Sequence, residues 1–232
     1  MSAVPRLLAG TRIASAIVRT QLRGAVIRML CDLDGADTVY FGKTTRRHAE
    51  DLFAFAERTA RQAEAVDPSL RNVPLEERMA IVLFTRRIHI AANRALASDR
   101  ALNEHEALYV RLLESGLNKL PSALDTPVFR GMNVPDPSAM FEVGAIVTEP
   151  RFWCVSADRR VAFEPEGFGG NVLITFVGPV SAKVLGPLAP GQSHREAMFS
   201  RNNRFQVRMH EVRRDEDGRL RHHVTLQDVG PS

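Results

Sequence analysis

The spacing of apolar residues changes at Pro121, and this change constrains the fold more than any other feature of the sequence. Before it, apolar residues recur at helical spacing over residues 45–65, 74–97 and 103–116. After it, short runs rich in β-branched and aromatic residues are separated by Pro, Gly and Asn. These runs cover residues 128–129, 146–147, 152–155, 172–177, 183–185, 205–212 and 222–226. Helices followed by strands predict an α+β fold with a mostly antiparallel sheet.

The N-terminal segment differs from the rest of the chain in charge. Residues 1–31 hold five arginines and no acidic residue, although the whole chain has a net charge of only +4. The remainder is therefore close to neutral, which argues against nucleic acid as a partner. An Arg-bearing, acid-free segment is typical of an organelle transit peptide or of a bacterial effector's export signal, and also of a surface helix or loose tail.

These patterns predict two regions. We expect a basic arm and linker over residues 1–42, and one domain over 43–232, with helices over 43–120 and the β-rich core over 121–232. We also expect that residues 1–31 can be removed without loss of the folded domain. No apolar run approaches the ~18 residues that a membrane-spanning helix needs.

The sequence lacks the residue spacing of a phosphate-binding P-loop, of a metal site and of a disulfide framework. Gly42-Lys43-Thr44 resembles the end of a phosphate-binding P-loop, but Asp37 stands where that loop needs glycine. The histidines have no metal-ligand spacing, and two cysteines cannot form a disulfide framework or a four-thiolate zinc site. We therefore predict no metal.

Three stretches in the second half carry residues suited to chemistry. In Val128-Phe129-Arg130-Gly131 an arginine follows apolar residues in a strand, where its guanidinium forms either an internal ion pair or a phosphate clamp. Phe152-Trp153-Cys154-Val155-Ser156 is a strand that ends in a small hydroxyl residue. Glu196 follows a Pro- and Gly-rich approach and begins a short apolar run, so a strand holds its carboxylate beside a loop.

In this order, the three stretches resemble the mono-ADP-ribosyltransferase superfamily of bacterial toxins and effectors, in the branch with Arg, Ser-Thr-Ser and Glu-x-Glu motifs. The resemblance covers about residues 101–212. It implies an ADP-ribosyltransferase-type sheet core, NAD as substrate, and transfer of ADP-ribose to a host protein with release of nicotinamide. It also implies a secreted virulence effector that acts in the host cytoplasm. If the resemblance is set aside, we expect a cytoplasmic protein of the cell that makes it.

The resemblance also assigns site residues. Arg130 corresponds to the cation that holds the pyrophosphate and ribose, and Glu196 to the carboxylate that stabilises the cationic ribose. Cys154 and Ser156 stand at the first and last positions of Ser-Thr-Ser. The remaining candidates are Gly131, which offers backbone groups to the nicotinamide amide, and Phe163 or Phe168, which stacks on the nicotinamide ring.

Two departures from the family pattern bear on activity. Cys154 replaces the serine that holds the carboxylate, and a thiol is a weaker donor than a hydroxyl. His194 replaces the first glutamate of Glu-x-Glu, which holds the guanidinium in arginine-modifying members, so we expect an acceptor other than arginine and His194 as a possible general base. Two alternatives stay open: a catalytically impaired binding module on the same fold, and an NAD glycohydrolase.

Overall fold

The computed structural model of the 232-residue chain describes residues 4–40, 42–122, 126–163, 170–178, 181–190, 196–214 and 218–231. The chain divides into two compact units, Met1–Lys119 and Leu120–Ser232. The first is helical and the second is built on a sheet, so the predicted α+β composition is confirmed. No helix in the described ranges has the length and hydropathy needed to cross a membrane.

Over its described residues, 4–40 and 42–119, the helical unit forms five α-helices. They are α1 (Val4–Asp34), α2 (Thr45–Val66), α3 (Leu75–Leu83), α4 (His89–Leu96) and α5 (Glu104–Asn118). The predicted helical periodicity of α2 is confirmed, because Ala49, Phe53, Ala56 and Ala60 are all buried. Asn103 and Glu106 form a reciprocal capping box at the start of α5, where each side chain accepts a backbone N–H of the other residue.

The predicted helix over residues 74–97 is interrupted. A π-helical turn over Phe84–Ile88 separates α3 from α4, and Arg86 within it has non-helical angles (φ −114°, ψ −151°). The guanidinium of Arg86 lies 4.8 Å from the centre of the Phe55 ring. An extra residue in the turn thus places this cation over an aromatic face, which apolar periodicity alone does not reveal.

Helix α1 is packed into the helical unit over its C-terminal half. Leu22, Ala25, Val26, Met29 and Leu30 are buried at helical spacing and form a continuous apolar stripe. Arg19 pairs with Glu57 at 3.1 Å, and Arg23 pairs with Glu50 at 3.0 Å. The charge pattern predicted an arm that could be deleted without loss of the fold. Because the apolar stripe of α1 is buried, we now expect deletion of residues 1–31 to destabilise the helical unit.

The second unit is built on an eight-stranded sheet. Its strands are β3 (Val128–Met132), β4 (Ile146–Glu149), β5 (Trp153–Ser156), β6 (Val172–Val177), β7 (Lys183–Val184), β8 (Glu196–Phe199), β9 (Asn203–Arg214) and β10 (Leu220–Pro231). The strand order is β4-β9-β10-β6-β3-β5-β8-β7. Every pairing is antiparallel except that of β10 with β6. The predicted mostly antiparallel core is therefore confirmed.

Smaller elements complete the chain. In the helical unit β1 (Val39–Tyr40) and β2 (Lys43–Thr44) form a short hairpin, and in the second unit α6 (Pro137–Met140) and α7 (Arg159–Phe163) connect strands.

The sheet divides into two halves between β3 and β5. Strand β3 pairs with β6 at five positions, whereas in the described chain its pairing with β5 is a single position, Phe129 opposite Ser156. An aromatic cluster supports both halves from one face, with the Trp153 ring stacked on Phe205 at 5.5 Å and Phe176 against Phe199 at 4.8 Å. Beyond this single pair, the described backbone groups of β3 and β5 do not continue the hydrogen-bonded ladder.

Candidate active site

Glu196 is the first residue of β8 and lies between two neighbouring strands. Glu196 is 5% exposed, and its backbone carbonyl accepts a hydrogen bond from Leu185 N at 3.0 Å. Strand β8 pairs with β5 on one side and with β7 on the other, and all four of its residues are buried. The carboxylate is thus held by a rigid strand at the end of the loop that precedes it, which agrees with the position predicted from the sequence.

Ser156 lies directly opposite Glu196 in the register of β5 and β8. It is 3% exposed, and its Oγ accepts a hydrogen bond from Asp158 N at 3.0 Å. Because the lone pair of Oγ takes that N–H, its own O–H proton is free to be donated elsewhere. On its other side Ser156 pairs with Phe129 of β3, so this one position links the three central strands.

Cys154 lies opposite Met198, two residues along β5 from Ser156. Residues two apart in a strand share a face, so the Cys154 thiol lies on the same face as the Glu196 carboxylate, as its diagonal neighbour. Burial, followed by the negative charge of Glu196, raises the pKa of the Cys154 thiol to about 12, against a smaller lowering by Arg130. The thiol therefore stays protonated at neutral pH and acts as a weak hydrogen-bond donor, not as a nucleophile.

Arg130 follows Phe129 on β3, where β3 and β5 separate. Its Nη1 donates to the Cys154 carbonyl at 2.5 Å, and its Cζ lies 5.5 Å from the centre of the Trp153 ring. Burial lowers the pKa of Arg130, and the nearby Glu149 carboxylate raises it, yet a guanidinium remains charged at neutral pH. Arg130 Nε is buried without a hydrogen-bond partner among the described residues, so the fork retains donor capacity for an anion.

Of the remaining predicted site residues, the structure describes Gly131 fully and the others in part or not at all. Gly131 is buried on β3 opposite Leu173 of β6. Phe163 ends α7, which begins three residues after Ser156, but its side chain lies outside the described residues, as do Phe168 and His194. The described structure therefore brings Cys154, Ser156 and Glu196 together on one face. Arg130 lies opposite the core residue Ile174, on the other face of β3, and contacts the site strand through the Cys154 carbonyl.

Sequence reasoning missed three residues that support these four. Asp158 fixes Ser156 through its backbone N–H, and Trp153 lies under the Arg130 guanidinium. Lys183 of β7 lies opposite Met198, on the outer side of β8. Alternation along the strands could have placed Lys183 on the face of Glu196, but only with the strand pairing known.

The arrangement combines complementary charges around one junction. A carboxylate, a hydroxyl and a thiol share a face of β5 and β8, and a guanidinium lies at the adjacent split between β5 and β3. Such a set can bind an anionic group at one end of a ligand and stabilise positive charge at the other. In the described part of the chain no group of three or more His, Cys, Asp or Glu is placed to hold a metal ion.

Comparison with known proteins bears on the fold of the chain and on its relatives. No protein-family profile matches the sequence. The NAD(+)–protein-arginine ADP-ribosyltransferase Tre1 of Pseudomonas putida (strain GB-1) is 34% identical over 116 residues, which is 50% of this chain and 22% of that protein. The chain thus spans about a fifth of that relative's length.

Solved structures match more of the chain. The type III effector XopAI of Xanthomonas axonopodis pv. citri superposes with a TM-score of 0.69 at 18% identity, over 92% of this chain and 83% of the other. The ADP-ribosyltransferase HopU1 of Pseudomonas syringae pv. Tomato DC3000 gives a TM-score of 0.65 at 19% identity, over 90% and 97%. The chain has the ADP-ribosyltransferase fold.

The resemblance predicted from short motifs is therefore confirmed at the level of the fold. The match to the ADP-ribosyltransferase HopU1 covers 90% of the chain, whereas the motifs covered only about residues 101–212. The helices that precede the sheet thus belong to the matched architecture.

Substitution of Arg130 by lysine tests whether the guanidinium binds NAD. We expect NAD affinity per folded molecule to fall roughly tenfold to hundredfold, because a lysine ammonium cannot make the paired hydrogen bonds of a planar fork. Calorimetric titration with NAD measures the affinity, and Arg208→Lys, which changes an exposed arginine of β9, is the matched control. A lower melting temperature with unchanged affinity would instead make Arg130 a structural residue.

Substitution of Cys154 by serine tests the role of the thiol. We expect nicotinamide release to rise a few-fold, because a hydroxyl is a stronger donor to the neighbouring carboxylate than a thiol that stays protonated. The gain is limited because Ser156 already provides a hydroxyl opposite Glu196. Equal or slower release by the serine variant would show that Cys154 does not act on Glu196.

Proposed function

We propose that this protein is an NAD-dependent mono-ADP-ribosyltransferase, which transfers ADP-ribose from NAD to a protein and releases nicotinamide. The observation that carries the proposal is the buried Glu196 carboxylate at the start of β8, opposite Ser156 of β5, the strand that separates β8 from the strand of Arg130. The name of the 34% identical relative, an NAD(+)–protein-arginine ADP-ribosyltransferase, supports the same reaction. So does a structural relative, Exoenzyme S of Pseudomonas aeruginosa, solved with bound carba-NAD.

The proposed mechanism follows from the charges at the site. Cleavage of the bond between nicotinamide and ribose develops positive charge on the ribose, as in glycoside hydrolysis. Glu196 binds the ribose 2′-hydroxyl and stabilises that charge, and its burial makes the interaction stronger than it would be in water. Arg130 binds the pyrophosphate, which lies several bonds from the reacting carbon. Ser156 and Cys154 share a face with Glu196, so we expect their hydroxyl and thiol to orient its carboxylate. Gly131 with Phe163 or Phe168 forms the nicotinamide subsite.

We further propose that the protein is a secreted effector that acts on a protein of a host cell. Support comes from the structural relatives, of which XopAI is named a type III effector. The basic N-terminal segment is compatible with export, although residues 14–31 also pack in the helical unit. Translocation of a full-length fusion to a reporter enzyme, measured inside host cells, tests this proposal, and a reporter signal confined to the bacteria contradicts it.

One experiment distinguishes the proposed reaction from its alternatives. The purified protein is incubated with NAD labelled on the adenine side, with and without a cell lysate, and both nicotinamide release and labelled protein are measured. Transfer predicts release together with label on protein. An NAD glycohydrolase gives release without labelled protein, and a catalytically impaired binding module gives NAD binding with neither.

The acceptor is the finer part of the proposal. Because His194 replaces an acidic residue and Arg195 adds positive charge, we expect agmatine, a simple guanidinium acceptor, to be modified poorly. The relative Tre1 is named a protein-arginine ADP-ribosyltransferase, and a shared acceptor type would instead predict efficient modification of agmatine. Labelled NAD with agmatine measures the reaction directly, and efficient modification that persists in His194→Ala would show that this position does not select the acceptor.

A further inference from the structure

Lys183 lies on the same face of the sheet as Glu196. It stands opposite Met198 of β8, and Met198 is two residues from Glu196, so the two share a face. Ala182 and Ala197 belong to the aromatic core on the opposite face, which agrees with this alternation. Lys183 is therefore a diagonal neighbour of Glu196, and such neighbours have Cα atoms about 7–8 Å apart.

Among the described residues, the Lys183 ammonium is hydrogen-bonded to an uncharged side chain and not to a carboxylate. Its Nζ donates to Ser122 Oγ at 3.0 Å, and among the described residues no carboxylate lies within ion-pair distance of it. The residue is half-buried. A partly desolvated ammonium is stabilised by an anion, so Lys183 favours a negatively charged group at this place and disfavours a guanidinium.

The strand order gives Lys183 a position relative to the proposed reaction. The order β3-β5-β8-β7 places Arg130 on one side of Glu196 and Lys183 on the other. NAD occupies the Arg130 side in the proposed function. A protein acceptor must approach the ribose from a side that NAD leaves open, and Lys183 is a charged side chain that the described structure places across Glu196 from Arg130.

We propose that Lys183 selects a carboxylate acceptor, the side chain of aspartate or glutamate, for the transfer reaction. This inference rests on the proposed function and names the substrate class of the same site. In the reaction the ribose–nicotinamide bond breaks and its electron pair leaves with neutral nicotinamide. An oxygen of the acceptor carboxylate then donates an electron pair to the same ribose carbon and forms an ester.

A carboxylate acceptor is repelled by the Glu196 carboxylate, and the Lys183 ammonium offsets that repulsion. The attacking oxygen is already ionised at neutral pH, so no proton is removed and no general base is needed. A guanidinium acceptor, in contrast, must lose a proton to form the new bond. The positive charge of Lys183 lowers the energy of a bound carboxylate and raises that of a bound guanidinium.

The test compares two acceptors in the wild type, in Lys183→Met and in Lys43→Met. Lys43→Met is the matched control, because it removes a lysine of the helical unit that pairs with Asp51. Poly-L-glutamate and poly-L-arginine are incubated separately with each protein and labelled NAD, and nicotinamide release is recorded in every reaction. Brief treatment with neutral hydroxylamine identifies an ester product, because hydroxylamine cleaves a carboxylate ester much faster than a linkage to a guanidinium, and the time course of label loss distinguishes the two.

We expect the wild type to label poly-L-glutamate in preference to poly-L-arginine, through a hydroxylamine-sensitive bond. Lys183→Met should lower that preference roughly tenfold, the effect of losing one charge-assisted contact, and Lys43→Met should leave it unchanged. Preferential labelling of poly-L-arginine, or the same preference in Lys183→Met as in the wild type, would overturn the assignment while leaving the transferase function in place. Absence of nicotinamide release from the wild type would overturn the proposed function, and the assignment with it.

Discussion

Replacement of Glu196 by glutamine should lower the rate of nicotinamide release by about 10²–10³-fold, because loss of one transition-state electrostatic contact costs about 3–4 kcal/mol. Glutamine keeps the shape of the side chain and removes its charge. The developing positive charge on the ribose then has no carboxylate beside it. The affinity for NAD in its ground state should change little, because the ribose carries no charge before the bond breaks. The expected loss is therefore in kcat, measured as single-turnover release under saturating NAD.

The same substitution should leave the fold intact. Glu196 is 5% exposed, and replacing a buried charge by a neutral amide removes a desolvation cost, so the melting temperature should stay equal or rise. Glu211→Gln is the matched control, because Glu211 is an exposed strand glutamate paired with Arg213. Turnover by Glu196→Gln close to that of Glu211→Gln would remove Glu196 from the mechanism.

Local patterns in the sequence predicted the elements that carry this site. The helical spacing of α2 is a local feature, and it is confirmed because neighbouring residues determine it. The capping box at the start of α5 is local in the same way. The strand around Arg130 and the strand that begins at Glu196 were also predicted, because β-branched and aromatic runs between Pro and Gly favour strands.

The pairing between strands could not be predicted in the same way. The motif resemblance placed Cys154 beside Glu196, whereas the register sets Ser156 directly opposite it and Cys154 opposite Met198. A shift of two residues keeps every side chain on its face, so the apolar alternation of the sequence cannot distinguish the two registers. For the same reason, apolar alternation could not reveal that Lys183 shares a face with Glu196.

The N-terminal segment was misleading for a different reason. Its five arginines and absence of acids suggested an arm, but arginine stems pack beside apolar residues while their charged ends reach carboxylates on other helices. Arg19 and Arg23 find Glu57 and Glu50 on α2 in this way. The partners of these charges are distant in the sequence, so composition within residues 1–31 could not reveal them.

Deletion of residues 1–31 should therefore unfold or precipitate the helical unit. It removes the buried stripe of Leu22, Ala25, Val26, Met29 and Leu30 and exposes the apolar surfaces that these residues cover. Burial of a Leu, Val or Met side chain contributes about 1.5–3 kcal/mol, so the loss is on the order of 5–10 kcal/mol, comparable to the whole stability of a domain.

A shorter deletion of residues 1–13 is the control for this prediction. It retains the buried stripe, the Ser15 hydrogen bond to Glu76 at 2.6 Å, and both arginine pairs, so it should stay soluble with a melting temperature near that of the full chain. Circular dichroism melts and sedimentation measure both deletions. If the 1–31 deletion remains folded with the stability of the 1–13 deletion, the stripe contributes nothing to folding, and the segment is an arm as its charge pattern first indicated.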